Sequence, residues 1–225
     1  MRLLLISSST VHGYGFLDHP EPEIRALLEG LRRVAFVPFA LKDRSAYTAK
    51  VRERLGRMGF DVVQVESAAD LLDADAIFVG GGNTFRLLNL LYERNLIDEI
   101  RQRVRSGIPY IGSSAGTNVA APTIRTTNDM PIVQPPSFDA FGFVPFQINP
   151  HYLDPDPHST HKGETREERI REFLEENDTP VIGLREGTML RVGGGRVTLL
   201  GMARARIFRR GAEPVEVDPG SAIEL

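Results

Sequence analysis

From Arg2 to Thr117, short apolar runs alternate with stretches of helical period, and this alternation restricts the chain to very few folds. The runs Arg2–Ile6, Val34–Pro38, Asp61–Val65, Ala76–Val79 and Ile108–Gly112 carry few polar residues, as expected of strands covered on both faces. Between them, Ile24, Leu27, Leu28 and Leu31 predict a helix from the Pro20/Pro22 start to about Arg33. Tyr47, Val51, Leu55 and Met58 predict a second, stopped by Gly59, and a short helical piece is expected near Asp70. Phe85, Leu88 and Leu91 mark a helix, and Ile97, Ile100 and Val104 continue the pattern up to Gly107. Strands joined through helices make right-handed crossovers. The expected fold is therefore α/β, a mostly parallel sheet with helices on both faces. Ligand sites in such sheets lie beyond the carboxyl ends of the strands.

Two turns fall on that edge. Gly112-Ser113-Ser114-Ala115-Gly116 sits where a strand gives way to a helix and has the Gly-x-Ser-x-Gly spacing of a nucleophile elbow. A serine at the tip of such a turn projects its hydroxyl clear of the sheet, and the glycines let backbone and substrate approach. The Ala115 amide, opening the next helix, points where an oxyanion would develop. The other turn is Gly80-Gly81-Gly82-Asn83-Thr84. It lacks Gly-x-Gly-x-x-Gly and the Lys-Ser/Thr pair of a P-loop, so phosphate binding is not expected. It reads either as a tight packing turn or as the source of a second oxyanion-hole amide for Ser114.

Past Pro122 the texture changes. Thr123–Pro136 is polar and proline-punctuated, without helical period, which predicts a long loop or short hairpin with a functional role. Phe146–Asn149 reads as a strand followed by Pro150-His151, and a helix begins at Gly163-Glu164-Thr165-Arg166 with Ile170, Phe173 and Leu174 on its buried face. Val181–Leu184 is a strand leading into Arg185-Glu186-Gly187. Met189–Val192, Arg196–Leu200 and two further short strands predict a short antiparallel C-terminal portion. No repeat or linker interrupts the pattern, so residues 1–225 are expected to form one domain.

Composition narrows the function. The net charge is -3, and the arginines are interleaved with Glu and Asp, which describes solvated helix faces and excludes a nucleic-acid partner. No run reaches membrane-spanning length and no basic-then-apolar leader is visible, so a cytoplasmic protein without a membrane partner is expected. With no cysteine, the chain has no disulfide, thiolate metal site or cysteine nucleophile. A serine nucleophile needs a base and a carboxylate behind it. Of the five histidines, His12 and His19 are expected at the surface of the N-terminal loop. His158 and His161 share a loop with Asp154, Asp156 and Glu164, where nothing fixes a ligand geometry, so no metal is expected. His151, directly after a strand on the Ser114 edge, is the expected base. Two acids can orient it, Asp129 and Glu186, and both stand at this point. The rigid strand end before Glu186 favours it as orienter. Asp129, in a polar loop with Asn128 and Arg125, suits a contact to a substrate's free α-amino group.

Five segments carry a family resemblance: Val79–Phe85, Gly112–Gly116, Pro122–Val133, Gln147–His151 and His161–Arg166. Together they resemble the peptidase E family of bacterial α-aspartyl dipeptidases, the Thr-Ile-Arg-Thr-Thr-Asn-Asp-Met block being the most specific. The resemblance implies a flavodoxin-like, class I glutamine amidotransferase-like fold and a serine peptidase releasing aspartate from Asp-Xaa dipeptides without a cofactor. It implies Ser114 as nucleophile, His151 as base, Asp129 or Glu186 as third member, and the Gly82 and Ala115 amides as oxyanion hole. It further implies that Arg166 binds the aspartyl carboxylate; Asn83, in the glycine turn, and Arg125, in the polar loop, are additional substrate-binding candidates of the sequence itself. A planar, always-charged bidentate donor is what a carboxylate reader needs. One departure is Ser113, where an aromatic residue often stands in that family. A monomer or homodimer acting on a small peptide is expected. The alternatives are a cyanophycinase-like aspartyl-peptide hydrolase and a non-catalytic module binding an acidic metabolite. Amidotransferases use cysteine, so glutamine hydrolysis by that route is excluded here.

Overall fold

The computed structural model describes residues 1–156, 158, 160 and 162–224. In chain order the elements are β1 (Leu3–Ile6), α1 (Glu21–Leu27), β2 (Arg33–Val37), α2 (Arg44–Arg57), β3 (Asp61–Gln64) and β4 (Ala76–Val79), then α3 (Thr84–Glu93), α4 (Leu96–Arg105), β5 (Tyr110–Ser113) and α5 (Ala115–Asn118). After a long irregular segment come β6 (Gln147–Pro150), α6 (Arg166–Glu176), β7 (Val181–Leu184), β8 (Thr188–Gly193), β9 (Arg196–Gly201), β10 (Ala205–Phe208) and β11 (Val215–Val217).

A seven-stranded sheet runs β3-β2-β4-β5-β1-β8-β9. Its first five members are parallel, β8 runs antiparallel to β1, and β9 runs antiparallel to β8. Why the parallel strands read as unbroken apolar runs is clear from β1. Leu3 and Leu5 pack with Leu87, Leu91, Ile100 and Val104 of α3 and α4. Leu4 and Ile6 point the other way, to Ile24, Val51 and Leu55 of α1 and α2. Each such buried side chain contributes about 1.5–3 kcal/mol. No helix among the described residues is long and apolar enough to cross a membrane.

Three expectations need correction. The first helix ends at Leu27 rather than near Arg33, because the chain turns through Gly30 at φ 76° and the Arg32 and Arg33 amides both donate to Asp75. The pattern from Phe85 to Val104 is two helices, not one; Asn95 at φ 55° breaks it. The largest correction concerns β6 and β7. They pair in parallel with each other but leave the main sheet, joining β10 and β11 in a four-stranded sheet of order β11-β10-β7-β6. One face of that sheet adds Ile148, Ile182, Leu184 and Ile207 to the core beside α5. The other carries α6, through Ile170 and Leu174 against Val181 and Phe208. Hydropathy period marks a strand but not its partner, so the sequence could not separate the two sheets.

His19 also departs from expectation. It is half-buried, its ring packs edge-on to Tyr14 with centroids 6.5 Å apart, and neither ring nitrogen has a hydrogen-bond partner among the described residues. Burial holds its pKa below the ordinary 6.5, against a smaller opposing pull from Asp18. The unfolded chain therefore takes up this proton before the folded one does. Stability from the neutral ring is complete above about pH 6.5 and declines as pH falls below it. Denaturant unfolding of the wild type and His19→Gln, just above and just below that pH, should show a shallower acid-side loss in the variant. An equal loss in both would refute the assignment.

Candidate active site

The turn from β5 into α5 holds Ser114 at φ 52° and ψ -109°, a conformation that costs a non-glycine residue about 1–3 kcal/mol. The surroundings over-determine it. The Ser114 amide donates to the Ile6 carbonyl at 3.0 Å, and the Thr117 and Asn118 amides donate to the Ser114 carbonyl at 2.9 Å. Gly116 is dictated by space, since a Cβ there would lie 2.0 Å from the Val79 carbonyl oxygen. The hydroxyl of Ser114 is thereby aimed outward at the carboxyl edge of β5. Ser113 is fully buried beneath it, and its hydroxyl has no protein partner among the described residues.

His151 follows β6 at φ 55°. Its Nε2 lies 3.0 Å from the Ser114 hydroxyl and its Nδ1 lies 2.9 Å from a Glu186 carboxylate oxygen. Serine and histidine thus come from different sheets, not from one edge as expected. Ser7, at the end of β1, ties them together. Its hydroxyl accepts the His151 amide at 3.0 Å and donates to the Leu184 carbonyl at the end of β7 at 2.8 Å. Sequence reasoning missed Ser7; its place at the carboxyl end of the strand beside β5 was the available signal. Glu186 is mounted next to Arg185, whose guanidinium bridges Asp154 and Glu216 at 2.7–2.8 Å. The outer end of the constellation is open, with the Glu186 side chain 55% exposed.

The block from Thr123 to Met130 proves to be largely a brace. The Thr126 hydroxyl and the Asn118 amide group donate to the Ile148 carbonyl at 2.8 Å. Asn149 donates to the Thr126 carbonyl and the Asn128 side chain, and Asn128 donates to the Pro150 carbonyl at 2.7 Å. The end of β6, and so His151, is pinned. Asp129 faces a different target from His151. One of its oxygens accepts the Thr84 amide at 2.7 Å and the Thr84 hydroxyl at 2.6 Å, at the start of α3.

The glycine run supplies one unclaimed amide. Gly80 donates to the Val37 carbonyl and Gly81 to the Tyr47 hydroxyl at 2.9 Å, whereas Gly82 has no acceptor among the described residues. Burial keeps Tyr47 protonated, its pKa pushed up to about 12. Ala115, as first residue of α5, likewise donates to no protein acceptor among the described residues.

Two hollows meet at Ser114 and His151. A cavity of about 210 Å³ is lined by Thr84, Ala115, Asn118, Asp129 and Arg166. On the other side a cleft of about 760 Å³ is walled by Ser8, Phe16, Tyr47, Lys50 and Gly82. Arg166 opens α6 behind the Thr165 cap, and burial, followed by Arg169, lowers its pKa, with Asp129 opposing. Its neighbours Arg169, Arg171 and Arg206 hold glutamates, but Arg166 makes no ion pair with a carboxylate among the described residues. Two expected contributors lie elsewhere. Asn83 spends its side chain inside the protein, its Oδ1 accepting the Arg86 amide to cap α3 and its Nδ2 donating to the Met130 carbonyl. Arg125 is exposed, 5.5 Å over the Phe138 ring, beside a separate cavity that does not reach Ser114. At that reversal Ile124 and Thr126 turn inward, leaving Arg125 outside. No cluster of three or more potential metal ligands occurs among the described residues, and His161 lies outside them.

A strained serine, a histidine on its hydroxyl, a carboxylate on that histidine and two unclaimed amides form the constellation of an acyl-transferring serine hydrolase. The model described as "Peptidase family S51" matches residues 3–200, and the chain belongs to that family of peptidases. It is 60% identical to a "Peptidase E" of Streptomyces coelicolor over 225 residues, covering 98% of this chain and 93% of the relative. It is 51% identical to a Drosophila melanogaster protein described as "Probable alpha-aspartyl dipeptidase", covering 97% of this chain and 94% of the relative. A crystal structure of a peptidase from an acI-B1 Actinobacterium shares the fold, with a TM-score of 0.73 at 20% identity, covering 100% of this chain and 96% of that one.

Proposed function

We propose that this chain is a cytoplasmic serine exopeptidase that hydrolyses dipeptides with N-terminal aspartate through an acyl-enzyme, without a metal or organic cofactor. The observation that carries the reading is the small cavity, in which Arg166 and Asp129 flank the hydrogen-bonded Ser114–His151–Glu186 chain. An N-terminal aspartyl residue presents an ammonium and a carboxylate a few ångströms apart. Arg166 is a guanidinium that makes no ion pair among the described residues, suited to the carboxylate. Asp129 retains one oxygen beyond its Thr84 contacts, suited to the ammonium.

The geometry supports a two-stage acyl transfer. Glu186 accepts the Nδ1 proton of His151, so Nε2 is left as the base. Nε2 takes the Ser114 proton as Oγ attacks the scissile carbonyl, and the Gly82 and Ala115 amides receive the developing oxyanion. His151 then protonates the departing amino group, leaving an aspartyl ester on Ser114. Water, deprotonated by the same histidine, attacks that ester and releases aspartate.

Arg166→Met tests the specificity. Removing the guanidinium leaves the substrate carboxylate desolvated and unpaired, so kcat/KM for Asp-Leu should fall by roughly 10²-fold or more. The preference for Asp-Leu over Asn-Leu should collapse with it. Thermal stability should hold, because no protein carboxylate among the described residues pairs with this arginine. Unchanged selectivity would place the acid reader elsewhere.

A further inference from the structure

The cleft on the far side of Ser114 has a charge pattern of its own. The chain contains three lysines, and two of them, Lys42 and Lys50, stand on this one wall. Every ion pair among the described residues uses an arginine or His151, and none uses a lysine. Lys50 is nonetheless positioned, its ammonium 4.3 Å from the centre of the Phe16 ring, a cation–π distance. The acid in that lining, Asp43, caps α2 through one oxygen, Oδ1, which accepts the Ala46 amide. Phe16, Leu41 and Tyr47 supply apolar surface in the same lining as the lysines and Ser114.

The two unclaimed amides set the direction in which a substrate lies. Ala115 belongs to the small cavity and Gly82 to the cleft, so a carbonyl held by both sits at their junction. With the aspartyl residue in the small cavity, the leaving residue occupies the cleft. In a dipeptide that residue carries the terminal carboxylate, whose carbon is two bonds and about 2.5 Å beyond the scissile nitrogen. We propose that Lys50, assisted by Lys42, binds the terminal carboxylate of the leaving residue, whose side chain lies against Phe16, Leu41 and Tyr47. The cleft thereby selects dipeptides with a free acid end and an apolar second residue. This rests on the orientation given under the proposed function.

The test compares Asp-Leu with Asp-Leu amide, which lacks the terminal charge. Wild type should favour the free acid by about two- to fivefold in kcat/KM, as for an exposed ion pair, and added salt should shrink that preference. Lys50→Met should bring the ratio toward unity through KM rather than kcat, and Lys50→Arg should keep it. A wild type indifferent to the amide, or a Lys42→Met, Lys50→Met double variant that keeps the wild-type ratio, overturns the proposal. An enzyme that cleaves neither substrate instead overturns the reading of the site itself.

Discussion

Ser114→Ala is expected to leave a folded protein whose Asp-Leu turnover falls by roughly 10⁴–10⁶-fold. The hydroxyl is the atom that would form the acyl bond; the chain has no cysteine, and the neighbouring Ser113 is fully buried beneath the elbow. Stability should be nearly untouched, because the hydrogen bonds that fix the turn run through the Ser114 backbone, not its side chain. Alanine pays the same left-handed penalty that serine does. Ser114→Gly removes that penalty and should unfold at higher denaturant, gaining about 1 kcal/mol while remaining equally inactive. Turnover in Ser114→Ala above about a tenth of wild type would overturn the serine mechanism.

The second large effect is expected at Glu186. Glu186→Gln should lower kcat by roughly 10³-fold with KM little changed. The corresponding loss at a fully buried acid reaches about 10⁴-fold, and solvent around this carboxylate places it lower in the range. Asp129→Asn should do something else. Its contacts run to Thr84 and the small cavity, so it should raise KM by about ten- to a hundredfold, as for a lost charged hydrogen bond. Both variants, assayed on Asp-Leu under identical conditions, separate the roles. A pure kcat defect in Asp129→Asn beside near-wild-type Glu186→Gln would reverse the assignment.

Much of this was legible because buried parallel strands write themselves as apolar runs and an elbow needs glycines that cannot be replaced. β4 and β7 match their sequence bounds to the residue, and Ser114 and Gly82 fall on the predicted edge. What stayed hidden was partnership. Nothing in Gln147–Pro150 says that it pairs away from β1, and nothing in a helical period announces the left-handed Asn95. The polar Thr123–Met130 block shows the same limit. Its hydrogen-bonding groups suggest substrate contact, yet most are used to pin β6. Asn83 shows the same ambiguity, since a cap and a ligand contact ask for the same side chain. Lys42 and Lys50 drew no notice because an exposed lysine is ordinary until its neighbours are known.

Ser114 rides on the seven-stranded sheet, while His151 and Glu186 ride on the four-stranded one. The Ser114–His151 separation is therefore a docking distance, set by how Ile148, Ile182 and Leu184 seat against α5 and by hydrogen bonds from Ser7 and Asn118. In such a molecule the apolar interior acts as a mechanical mount for the reaction. A methyl group added or removed deep between the sheets changes the reach of a proton transfer at the surface, so selection on turnover is felt by residues that no substrate ever meets.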